Sequence, residues 1–68
     1  MNSINQEKKK VKLNLVGLDG NAFALMGAFS RQAKREGWTS EEVNSVLTEA
    51  QAKDYNHLVT TLADHCEM

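Results

Sequence analysis

The chain has 68 residues, of which 41% are hydrophobic, with a formal net charge of −1 and a single cysteine. This length allows one domain at most, and so small a core contributes only about 3–5 kcal/mol of net stability. A single cysteine excludes an internal disulfide, and the His and Cys spacing fits no metal site. We therefore predict no cofactor and no metal, and expect oligomerisation to supply the missing stability.

The first nine residues show no apolar period, and a basic run of Lys8, Lys9 and Lys10 lies at the end of this segment. This composition predicts a flexible basic leader over residues 1–9 and a single small domain over residues 10–68. The chain contains no secretory signal pattern and no apolar run near the ~20 residues that a membrane span requires. We expect a cytoplasmic protein that has no membrane partner.

Val11, Leu13 and Leu15 alternate with polar residues, which is the two-residue period of a half-buried strand. Nothing else in the sequence indicates a strand, and a solitary strand leaves its backbone groups unpaired. We therefore expect the strand to pair with its equivalent in a second copy, giving a homodimer whose strand sense stays open. The main rival is that residues 65–68 fold back as a short second strand within one chain, instead of continuing the last helix.

A turn follows the strand, because Gly and Asn tolerate positive φ and Asp bonds to nearby backbone; it contains Gly17, Asp19, Gly20 and Asn21. Either Asn21 or Asp19 can cap a first helix, which we predict from about Ala22 to Glu36. Gly37 suits a left-handed helix end. The apolar stripe, with Phe23 at its flank, consists of Ala22, Leu25, Met26, Phe29 and Ala33.

Thr39 and Glu42 form the pattern of a capping box, and Trp38 and Val43 form that of a hydrophobic staple. They predict a second helix that ends near Lys53, with a stripe of Val43, Val46, Leu47 and Ala50. Asp54 can cap a third helix, whose predicted buried face is Tyr55, Leu58, Val59, Leu62 and Cys66. The predicted fold class is therefore α+β, with one N-terminal β-strand followed by three α-helices.

The charges divide unevenly along the chain. Residues 1–38 hold seven of the eight Lys and Arg residues, whereas residues 39–68 hold six of the nine Asp and Glu residues. This asymmetry indicates either surfaces that steer a partner or two solvated faces of one small fold. The candidate contacts with a partner protein or with nucleic acid are Lys8, Lys9, Lys10, Lys12, Arg31, Lys34 and Arg35. Nucleic-acid binding is the alternative function, but the obvious reading helix, the second, begins with Glu41 and Glu42.

No residue set predicts catalysis. The turn between the strand and the first helix lacks a phosphate-binding pattern of glycines, lysine and serine or threonine. His57 and Cys66 lie nine residues apart, too far on one helix to share a metal ion. His65 and Cys66 are adjacent, so their side chains diverge by about 100° on a helix and form no nucleophile–base pair. We predict no enzyme activity and no catalytic residue.

The stretch Val11–Phe23, with Asp54-Tyr55-Asn56-His57-Leu58, resembles a group of very small bacteriophage and bacterial proteins of unknown activity. These share a V-G-x-D-G-N-A-F motif and a D-Y-x-x-L segment, and the similarity spans about residues 11–62. Small phage proteins often bind and block a host protein. The resemblance thus implies a phage-encoded modulator or inhibitor of a host defence protein, acting in the host cytoplasm. Together with the residues, it favours a non-enzymatic, homodimeric protein–protein interaction module.

Overall fold

The structure is a computed structural model that describes residues 10–15, 17–18 and 20–67. It contains helices α1 (Ala22–Arg35), α2 (Ser40–Ala50) and α3 (Tyr55–Asp64), and each helix contacts the other two. Across the described residues it has no β-strand and no sheet. The predicted α+β class is therefore wrong: the described fold is a bundle of three helices. The predicted leader over residues 1–9 lies outside the described residues.

Short-range polar contacts begin each helix. The Asn21 side chain accepts a hydrogen bond from the Phe23 N–H at the start of α1. Asp54 does the same for the His57 N–H at the start of α3. At α2, Thr39 Oγ1 accepts from the Glu42 N–H, and the Glu42 carboxylate accepts from the Thr39 N–H. These contacts confirm the predicted caps and the capping box, and each satisfies N–H groups that a helix start leaves free.

Four residues, 36–39, link α1 to α2. Gly37 has φ +96°, and its N–H donates to the Lys34 carbonyl, while the Trp38 N–H donates to the Ala33 carbonyl. This pair of bonds is the Schellman motif, in which glycine avoids the Cβ strain of left-handed backbone. The motif delivers Trp38 into the core, where its ring meets that of Phe29 edge to face at a centroid distance of 5.5 Å.

The core lies where the apolar stripes of the three helices meet. Leu25, Phe29 and Ala33 of α1 are buried, as are Val43, Val46 and Ala50 of α2 and Leu58 and Leu62 of α3. The predicted stripes are thus largely confirmed, but Tyr55, assigned to the buried face of α3, is 49% exposed. The second helix also ends earlier than predicted, at Ala50 instead of near Lys53.

The N-terminal segment is an irregular arm that packs on the helices, and it bends at Lys12, where the Leu13 N–H donates to the Val11 carbonyl at 3.1 Å. Val11 is fully buried, and Leu13 and Leu15 are half-buried against the core. Its one ladder contact is an isolated parallel bridge to Cys66. The alternating apolar residues therefore do face the core, but the predicted strand is wrong: the backbone bends at Lys12, and the apolar side chains pack on the helix bundle and not in a sheet.

The C-terminal tail satisfies the backbone of Val11. The Val11 N–H donates to the His65 carbonyl at 2.8 Å, and the Glu67 N–H donates to the Val11 carbonyl at 2.7 Å. The Lys12 N–H donates to the Glu36 carboxylate. The strand-paired homodimer was predicted because the backbone groups of a solitary strand would be unpaired. These groups bond within the chain, so they do not require a second copy. The rival hypothesis, in which the tail folds back as a second strand, is closer to the structure, although the tail and the arm share one bridge and form no strand.

Candidate functional site

The turn before α1 and the start of α3 meet in space. The Tyr55 hydroxyl donates a hydrogen bond to the Gly20 carbonyl, across thirty-five positions of sequence. Two segments chosen from the sequence resemblance are therefore neighbours, and Tyr55 is held there by its hydroxyl. Gly17 has φ +93°, a backbone conformation that favours glycine. Val16 and Asp19, the other residues of this turn motif, lie outside the described residues.

Phe23 is the most exposed large hydrophobic side chain of the described residues, at 79%. Helix geometry places Phe23 about 160° around α1 from Leu25 and about 120° from Phe29, so its ring points away from these two core residues. Tyr55 is half exposed and lies nearby, since it lines the same groove as Phe23. The predicted position of Phe23 at the flank of the stripe is consistent with this placement.

The groove beside Phe23 and Tyr55 has a volume of about 290 Å³ and is open to solvent. Its floor includes Met26 of α1, Ala50 of α2 and Leu58 of α3. An exposed aromatic pair over an apolar floor is typical of a surface that buries a partner's side chain. We call the set of Phe23, Met26, Ala50, Tyr55 and Leu58 the aromatic groove.

A second groove runs along the C-terminal half of α1 and has a volume of about 710 Å³. Arg31, Lys34 and Arg35 line it together with the half-buried Leu13 of the arm. The structure thus brings together three of the predicted basic contacts, and we call this surface the basic groove. None of the three cations forms an ion pair with a carboxylate of the described chain.

The arm lies next to the basic groove because of Glu36. Its carboxylate accepts hydrogen bonds from the Gln32 side chain at 2.6 Å and from the Lys12 N–H at 2.8 Å. The hydrogen bond from Gln32, and to a smaller extent that from the Lys12 backbone, lowers the pKa of Glu36 below its usual value. Lys12 and Lys10 are exposed on this arm, whereas Lys8 and Lys9 lie outside the described residues.

A polar cluster joins the end of α2 to α3. His57 Nε2 lies 2.9 Å from Glu49 Oε2 and 3.0 Å from the Glu49 carbonyl oxygen, and Thr61 Oγ1 lies 3.4 Å away. These contacts tie the two helices together at the corner. Glu49 and His57 are two candidate metal ligands, but a metal site needs at least a third Asp, Glu, His or Cys beside them. The described residues contain no group of three or more such side chains that could hold a metal ion.

Cys66 is 95% covered and lies at the arm–tail bridge. Burial raises the pKa of its thiol to about 11, so the thiol is protonated at neutral pH and is a poor nucleophile. Its neighbour His65 packs edge to face against Phe29 and Trp38, with ring centroids 6.4 and 6.2 Å apart. Cys66 therefore acts as a small core residue.

No protein-family model matches the chain, and searches of the curated proteins and of the solved structures return no match either. The kinship with small phage proteins stays a prediction from the motif residues. Within the described part of the chain, no helix has the length and apolar character needed to cross a membrane.

Proposed function

We propose that the chain is a non-enzymatic protein-interaction module that binds another protein through the aromatic groove. The observation that carries this proposal is the 79% exposure of Phe23 beside a half-exposed Tyr55. Aromatic side chains dominate the binding energy of protein interfaces, and their exposure without a partner has an energetic cost. The mechanism is occlusion of the partner's surface, without chemistry.

The partner in this proposal is a different protein and not a second copy of the chain. The expected homodimer depended on an unpaired strand, and the described arm completes its bridge with the tail of the same chain. A partner side chain that enters the aromatic groove would contact Met26 and Leu58 at its floor. Such an anchor-in-groove contact is the usual centre of a protein interface.

Action on a host protein in the host cytoplasm, as a phage-encoded modulator or inhibitor, is part of the proposal. Its support is the resemblance of Val11–Phe23 and Asp54–Leu58 to small phage proteins. The described structure adds one supporting contact, since Tyr55 and Gly20 bring these two segments together. Because these motif residues meet at an exposed groove and not in the core, they are accessible to a partner.

Photocrosslinking in cells that produce the protein tests the proposal. A photoreactive benzoylphenylalanine replaces Phe23 in one variant and the exposed Thr48 of α2 in a control variant. We expect a crosslink to one other protein from position 23 and none to that protein from position 48. Excess unlabelled wild type should compete with this crosslink, whereas the Phe23→Ser variant should need at least about ten times more.

Two results would overturn the proposal. One is equal competition by wild type and Phe23→Ser, which would show that the ring contributes no binding energy. The other is a crosslink from position 23 whose mass corresponds to two copies of this chain, which would make the partner a second copy. Circular dichroism of Phe23→Ser checks that the variant folds, as we expect for so exposed a side chain.

A further inference from the structure

We infer that the partner segment is acidic and carries one large apolar side chain, and that it lies along α1 from the aromatic groove to the basic groove. This inference rests on the proposed function and names the chemistry of its partner. The apolar side chain would enter the aromatic groove beside Phe23. Its Asp and Glu residues would face Arg31, Lys34 and Arg35.

One stripe of α1 connects the rims of the two grooves, whose floors at Met26 and Ala28 face nearly opposite sides of the helix. Phe23 and Lys34 are eleven residues apart, so their directions differ by only about 20° around the helix and their positions by about 16 Å along it. Between them lie Gly27 and the exposed Arg31, whose guanidinium approaches the backbone of Gly27. A segment of about eleven helical residues, or about five extended ones, would reach from one groove to the other.

Charge complementarity identifies the acidic part of the partner. Arg31, Lys34 and Arg35 form no ion pair with a carboxylate of the described chain. The nearby Glu36 carboxylate already accepts bonds from Gln32 and from the Lys12 backbone. The arginine guanidinium groups present paired N–H donors that match carboxylates. An acidic segment would therefore gain charge-assisted hydrogen bonds here without displacing an existing ion pair.

The lining of the basic groove favours a protein over nucleic acid. Its floor contains the apolar side chains of Leu13 and Ala28, and no aromatic ring of the described residues lines it. Single-stranded nucleic acid binds on aromatic rings that stack with its bases, in addition to cations.

Selection from a library of random 16-residue peptides displayed on a carrier tests the inference, with the full chain immobilised as bait. We expect the enriched peptides to combine several Asp or Glu residues with at least one Leu, Phe, Trp or Met. Fluorescence anisotropy then compares the binding of one enriched peptide with that of a 20-nucleotide single strand and a 20-base-pair duplex, all at the same salt concentration.

Matched variants separate the two grooves. Arg31→Gln, Lys34→Gln and Arg35→Gln together lower the net charge by three. A control variant with Asn44→Glu, Thr48→Glu and Asn56→Glu lowers it equally at exposed positions of α2 and α3. We expect the first variant to weaken peptide binding at least about tenfold and the control less than about threefold. Phe23→Ala should also weaken it at least about tenfold.

Each contrary result has its own meaning. Enriched peptides that depend on Phe23 but lack acidic residues, or that bind equally to the Gln variant, would overturn this inference and leave the proposed function standing. Tighter binding of either nucleic acid than of the peptide would overturn the inference in favour of a nucleic-acid surface. The absence of any enriched peptide that depends on Phe23 would overturn both.

Discussion

Phe23 and Phe29 belong to the same helix, six residues apart, and the fold uses them in opposite ways. Phe29 is fully buried and meets the rings of Trp38 and His65. Phe23 leaves 79% of its surface in solvent beside a shallow groove. The same side chain therefore serves the core at one position of α1 and a surface at the other.

The difference separates residues that hold the fold together from residues that are free to serve binding. The inner face of α1 carries Leu25, Phe29 and Ala33, and their burial supplies core stability. The outer face carries Phe23, Arg31 and Lys34, whose side chains are exposed. Substitutions on the inner face should change the free energy of unfolding, and those on the outer face should change binding.

The largest expected effect is at Phe29. Phe29→Ala should lower the free energy of unfolding by about 3–5 kcal/mol, because it leaves a cavity beside the rings of Trp38 and His65. That loss is comparable to the whole net stability of so small a domain, so the variant should be largely unfolded. Phe23→Ala should change the same quantity by less than about 0.5 kcal/mol. Circular dichroism without denaturant measures the folded fraction of each variant, and urea denaturation measures the stability of Phe23→Ala. Similar losses for the two variants would abolish the distinction.

The second prediction extends the inner face to the arm. Val11 is fully buried, so Val11→Ala should lower the free energy of unfolding by about 2 kcal/mol. Lys10→Ala, one position earlier and exposed, is the control and should have no effect. If Val11→Ala halved the mass in light scattering while helix content remained unchanged, a strand-paired dimer would be correct and the docked arm wrong.

The third prediction concerns the thiol beside the arm. Burial raises the pKa of Cys66 to about 11 in the folded chain, from 9.0 in an unperturbed thiol. Above pH 9 the unfolded chain loses this proton while the folded chain retains it, so stability should fall as the pH rises toward 11. The slope contributed by this group is at most about 1.4 kcal/mol per pH unit. Cys66→Ala should lack this component of the slope; an unchanged pH profile would mean that the thiol is exposed.

The smallest expected effect is at Gly27, within α1. A methyl group built there would meet the nearest atom, on the Arg31 side chain, at an ordinary 3.7 Å. Gly27→Ala should therefore raise the free energy of unfolding by about 0.5–1 kcal/mol through helix propensity. Thermal unfolding followed by circular dichroism measures the change. A destabilised variant would show that Gly27 has less space for a methyl group than the structure indicates.

Contacts between near neighbours in the sequence could be predicted. The caps at Asn21, Thr39 and Asp54 and the left-handed glycine at Gly37 all bond within five residues, so their residue types are sufficient evidence. The apolar stripes likewise predicted most of the core. The end of α2 was placed about three residues late, because no glycine or proline marks it.

Contacts between distant residues could not be predicted. The alternation at Val11 indicates one buried face, but it does not say whether a strand or a helix bundle covers that face. The bridge partner, Cys66, lies fifty-five positions away. Tyr55 was assigned to the core because its spacing fits the stripe of α3, and only the hydrogen bond to Gly20 explains its half-exposed position.

The proposed binding surface was predicted in part. The sequence identified Arg31, Lys34 and Arg35 as contact candidates, and the structure gathers them in one groove with Leu13. It did not identify Phe23 as a contact, since a residue at the flank of a stripe can be buried or exposed according to the neighbouring helix. The exposed fraction of its ring is a property of the assembled bundle.

The competition experiment at position 23 tests the account most directly. It compares the concentrations of wild type and of Phe23→Ser that halve the photocrosslink to the partner protein. We predict that Phe23→Ser, folded and equally stable, requires at least about ten times the wild-type concentration. Equal concentrations would contradict the claim that the outer aromatic ring of α1 exists to bind another protein.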